Sequence, residues 1–143
     1  MSQEIFHIII YGNPYVKKNS QRTIWHNYLK RTIVVYSANY TAWKKDTLMQ
    51  LGLSSRGKWR LNYDRPDGID YPIILKCHFF VKDNIKRDIS ALYEGIQDVL
   101  VESQIIKDDN FKIIAGHDGS RVFVDKESPR IELWLQKIVA EQQ

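Results

Sequence analysis

The sequence predicts an α+β fold, a mixed β-sheet carrying two main helices. Three observations predict it. Short β-rich runs recur along the chain and are broken by turn residues. Two longer stretches show helical spacing of apolar residues. The clearest strand runs straight into the clearest helix, Tyr71 to about Ser103. A length of 143 residues suits one domain, expected to span 1–143 with a frayed tail from 137. Hydrophobic residues at 43% supply a core and exclude a disordered chain.

Ile5 to Tyr11 reads as the first strand and ends at Gly12-Asn13-Pro14. Tyr15 to Gln21 reads as a polar loop. Arg22–Trp25 and Arg31–Tyr36 are expected to form a hairpin across residues 26–30. Ser37 is placed to cap a helix running to about Leu53, with Tyr40, Trp43, Leu48 and Leu51 on its apolar side. Residues 54–70 have no clear period and read as a long exposed loop with Arg56, Lys58, Trp59, Arg60 and Tyr63. Tyr71 to Val81 alternates, with Ile73, Leu75, Cys77 and Phe79 on one face. Ile89 to Ser103 is the second helix, with Leu92, Ile96, Val99 and Leu100 as its buried stripe. Strands are expected at Lys112–Ala115, Arg121–Val124 and Arg130–Gln136. Asp118-Gly119 reads as a hairpin turn.

The single cysteine allows no internal disulfide and points to a reducing, cytoplasmic setting. The Ile8–Tyr11 run is too short for a signal peptide or membrane span. A net charge of +4 and a pI near 9.1 fit a polyanionic partner, though weakly. The four histidines show no metal-ligand spacing. His78 reads as a strand-face residue and His117 as a turn residue. There is no P-loop, zinc motif or Ser-His-Asp set.

Chemistry concentrates between Lys86 and Asp109. Asp88 stands where a strand gives way to a helix, and Asp108-Asp109 follow that helix. A basic protein has little electrostatic reason to gather carboxylates unless a cation joins them, and acids around Mg²⁺ are a common phosphodiesterase arrangement. The helix rises about 18 Å between Ser90 and Glu102. The seven residues that follow can span about 25 Å. A returning chain is thus long enough to bring Asp109 beside Asp88. Asp98, about 12 Å along the axis from Ser90, is too distant to share a metal shell with Asp88 and reads as a helix-surface residue. Lys17, Lys18, Arg22, Lys86 and Arg87 are the expected phosphate contacts. Trp59 or Tyr63 is a candidate base-stacking ring.

The order Arg87-Asp88-Ile89, Leu92, Asp98-Val99-Leu100 and Asp108-Asp109 resembles the RusA-type Holliday junction resolvases. Gly12-Asn13-Pro14, Lys17-Lys18-Asn19-Ser20, Tyr36-Ser37 with Tyr40 and Trp43, and Pro129–Leu133 extend the likeness over most of the chain. The resemblance implies a homodimeric, Mg²⁺-dependent endonuclease, with Mn²⁺ as a substitute, that resolves four-way junctions in recombination and repair. It also implies a bacterial or phage-infected cytoplasm and no membrane. Its metal acids fall on Asp88 and Asp109, with Asp108 adjacent. The family's second acid falls on Ser90, its Asn on Ala91 and its helical Lys on Glu94. Glu94 is one turn from Ser90 on the same helix face, so it is the expected replacement carboxylate. Lys86 or Lys107 is the expected replacement cation. A branched-DNA binder that has lost cleavage is the second reading, and a small basic protein-interaction domain the third.

Overall fold

The computed structural model describes residues 2–16, 21–58 and 68–139. Along the chain come β1 (Ser2–Tyr11), β2 (Gln21–His26), β3 (Arg31–Tyr36), α1 (Ala38–Lys58), β4 (Ile73–Val81), α2 (Ile89–Glu102), β5 (Ile114–Gly116), β6 (Arg121–Val124) and β7 (Arg130–Ile138). The sheet order is β1-β7-β4-β5, and β6 also pairs with β4. β7 is antiparallel to both β1 and β4, whereas β5 and β6 are parallel to β4. The sheet is therefore mixed and carries two helices, as the sequence predicts. β2 and β3 form a separate two-stranded ribbon.

Alternation sets the core. Every second residue of β4 from Ile73 to Val81 is buried, and β7 buries Ile131, Leu133 and Leu135 in register with it. Leu92, Ile96, Val99 and Leu100 of α2 share that core, each burial being favourable by about 1.5–3 kcal/mol. Cys77 is completely buried. Ser37 caps α1 as expected, its Oγ accepting a hydrogen bond from the Tyr40 N–H at 3.1 Å. α2 passes α1 at Gly95, where a Cβ would meet the Trp43 ring at an ordinary contact distance of 3.5 Å.

Several boundaries differ from the sequence reading. α1 continues to Lys58, so the proposed loop from residue 54 begins in a helix; residues 59–67, with Trp59 and Tyr63, lie outside the described residues. β1 starts at Ser2, and β4 at Ile73 rather than Tyr71. Residues 137 and 138 are not frayed, because Lys137 pairs with Gln3 and Ile138 with Ser2. β5 starts only at Ile114, because the Asn110 carbonyl takes the Ile113 and Ile114 N–H groups in a turn. Asp118-Gly119 is a turn but not a hairpin. β5 and β6 lie end to end along β4, running the same way, so the turn offsets one edge strand into two pieces.

The ends of β4 matter for the site. At its C-terminal end, the Lys82 N–H donates to Asn13 Oδ1 at 2.9 Å and the Gly12 N–H to the Pro129 carbonyl at 3.0 Å. At its N-terminal end, Ile69 pairs with Ile106, and Gly68 (φ 101°) passes against the backbone of residues 104–106. No helix among the described residues is long and apolar enough to cross a membrane.

Candidate acidic site and pocket on helix α2

The loop from Val81 to Asp88 is tied by Arg87. Its Nη2 lies 2.7 Å from Asp83 Oδ1, and its Nη1 donates to the Ile85 carbonyl at 2.9 Å. The guanidinium holds the Asp83 carboxyl below its ordinary range. Arg87 therefore braces the strand-to-helix loop, while Lys86 beside it is exposed.

Asp88 is the N-cap of α2. Its carbonyl accepts the Ala91 and Leu92 N–H groups, but its side chain makes no capping hydrogen bond. The exposed carboxylate is left at the positive end of the helix, outside the helix hydrogen-bond pattern. Further along the helix, Ser90 and Glu94 line the same open pocket of about 460 Å³, with Ile89, Tyr93, Gln97, His117 and Ser120. This puts the Ser90 hydroxyl and the Glu94 carboxylate, the expected replacement acid, on one wall.

His117 also lines the pocket. Its ring stacks on Tyr93 with centroids 3.8 Å apart, and its Nε2 lies 2.8 Å from Gln97 Oε1. Burial lowers its pKa against the opposing pull of Asp118, which favours neutral imidazole. Sequence reasoning places His117 only in a turn and passes over Gln97. Their pairing spans 20 residues and depends on where β5 docks, which has no local signal.

Asp108 and Asp109 sit beyond the other end of α2. Asp108 works within its own turn: Oδ1 accepts the Asp109 N–H at 2.7 Å and Oδ2 accepts from Asn110 Nδ2 at 3.1 Å, which lowers its pKa. Asp109 has a raised pKa, from desolvation first and then from Asp108 and Asp98. Besides its neighbour Asp108, the acid that acts on Asp109 is Asp98 of α2, which is half-buried. Asp88 lies about 15 Å from Asp98 along the helix axis. Among the described residues, no three His, Cys, Asp or Glu side chains are grouped to hold one ion.

Asp88 precedes α2, Glu94 stands about 9 Å further along its axis, and Asp98, four residues beyond Glu94, is the helix acid that acts on Asp109. Of the expected phosphate contacts, Arg22 lies on β2, Lys86 and Arg87 border Asp88, and Lys17 and Lys18 lie outside the described residues. Compared with known proteins, the sequence matches no family model and no curated protein.

Proposed function

We propose that the protein acts on branched DNA as a structure-selective endonuclease of the RusA type, working as a homodimer on four-way junctions. The supporting observation is the wall shared by Ser90 and Glu94, on the helix that begins at an Asp88 carboxylate not engaged in capping. Mg²⁺ commonly binds through one or two carboxylates, several waters and substrate phosphates. The Asp88 end of α2 offers that number of carboxylates, so metal and DNA are expected to bind together. A cation bound with DNA would supply water activation and charge neutralisation. On the protein side, Asp88 and Glu94 supply negative charge, Lys86 faces phosphate, and neutral His117 offers a ring nitrogen to a proton.

A second reading, binding without cleavage, draws support from the uncharged Ser90 and from Asp109 standing with Asp98. One assay separates the two. A labelled four-way junction is incubated with protein and Mg²⁺ or Mn²⁺, with EDTA as control. Paired nicks that vanish in Asp88→Asn, with binding kept or tightened, support the endonuclease. Tight junction binding with no nick under any metal supports the second reading. Neither binding nor nicking removes both.

A further inference from the structure

The β2–β3 ribbon belongs to neither the main sheet nor the α2 site. Among the described residues it pairs only with itself, from Arg22↔Val35 to His26↔Arg31. A lone two-stranded ribbon is at best marginally stable in water. This one nevertheless leaves large apolar groups bare: Trp25 is 60% exposed, Tyr28 at the tip 89% and Val34 54%. The tip is shaped, with Lys30 at φ 51° and the Leu29 N–H donating to His26 Nδ1 at 3.0 Å. Over five residue steps the strands extend about 17 Å.

Charge identifies the partner. No Asp or Glu lies between Glu4 and Asp46, a stretch with seven Lys and Arg. Since the whole chain carries only +4, the rest is net acidic and the positive charge is concentrated here. Arg22, Lys30 and Arg31 on the ribbon are exposed, and none is in an ion pair among the described residues. A second copy of the same ribbon would repel it. A polyanion with exposed flat faces complements it, and a two-stranded ribbon is narrow enough for the DNA major groove.

We propose that the β2–β3 ribbon is the arm that engages branched DNA at its crossing point. Arg22, Lys30 and Arg31 neutralise phosphates, while Trp25 and Tyr28 stack on bases left unstacked where the arms meet. The proposal rests on the branched-DNA reading but not on cleavage.

The experiment measures anisotropy of a labelled four-way junction and a linear duplex in EDTA across a salt series. Three ribbon variants are compared with wild type: Arg22→Gln/Lys30→Gln/Arg31→Gln, Trp25→Ala/Tyr28→Ala, and Trp25→Phe/Tyr28→Phe. Circular dichroism and light scattering accompany each. The charge variant should weaken binding to both DNAs and flatten the log–log salt slope by about 0.9 for each phosphate no longer neutralised. The alanine variant should weaken junction binding by about fivefold to a hundredfold and duplex binding by about twofold at most. The phenylalanine variant should restore junction preference.

Wild-type affinity in the charge and alanine variants overturns the proposal. So does an equal loss on both DNAs in the alanine variant, or a change from dimer to monomer with DNA affinity untouched. If wild type binds no DNA, the proposal falls together with the branched-DNA reading. If wild type binds the junction and never nicks it, only the endonuclease reading falls.

Discussion

At the scale of single residues, Glu94 and Asp109 carry opposite lessons. Glu94 lines the Asp88-end pocket beside Ser90. If it replaces the acid absent at position 90, Glu94→Gln should lower single-turnover cleavage at saturating Mg²⁺ by about a hundredfold, a loss of about 2.7 kcal/mol in transition-state stabilisation. Ser90→Asp in that background should recover much of it. Unchanged cutting by Glu94→Gln would remove the replacement role. Asp109 is raised by desolvation and by its acidic neighbours. The native state therefore binds this proton more tightly than the unfolded chain, and stability falls as pH rises from the unfolded value of about 3.9 through the folded one. Asp109→Asn should accordingly raise Tm at pH 7 and give no gain below the unfolded value. A Tm gain that persists undiminished at low pH would contradict this charge origin. Asp88, Glu94, Asp108 and Asp109 are all visible as an acidic window in the sequence. Their grouping is not, because chain length shows only which approaches are within reach.

At the scale of elements, periodicity is most legible where burial is one-sided. β4, α2, the β2–β3 hairpin and β6 are placed closely because their apolar spacing or turn residues are local. The end of α1 escapes the sequence because Arg56 and Lys58 continue the helix without an apolar stripe to mark it. The Asp118-Gly119 turn misleads because a turn signal does not say which strand its flanks will pair with. Both flanks pair with β4. The least visible element joint is Gly68. It has a φ of 101°, and a Cβ there would stand 2.6 Å from the Gln104 carbonyl oxygen. Gly68→Ala should cost about 1–3 kcal/mol and lower Tm, since neither the backbone conformation nor the space suits a side chain. An unchanged denaturation midpoint would show that residues 104–106 yield easily.

At the scale of the whole molecule, the sheet has one face under the helices and, among the described residues, a second face left half-exposed. On that second face, Trp134 stands between His7, stacked at 4.7 Å, and the Lys76 ammonium at the same distance, and Phe80 lies between Arg130 and Phe123. A two-fold junction calls for two equivalent active sites, so the protein should have twice its 16.9 kDa chain mass at micromolar concentration by light scattering. A mass of one chain, with and without DNA, would count against paired nicking. The inner face has a different consequence. Cys77 is the only thiol, has no exposed surface, and is pushed well above its ordinary pKa by burial. Attack on a disulfide reagent requires an accessible thiolate, which the folded sheet denies. The molecule thus contains its own clock for opening: labelling by an aromatic disulfide should proceed only as fast as β4 becomes uncovered. Gly68→Ala should make that clock run faster, whereas the exposed ribbon variants should leave its rate unchanged.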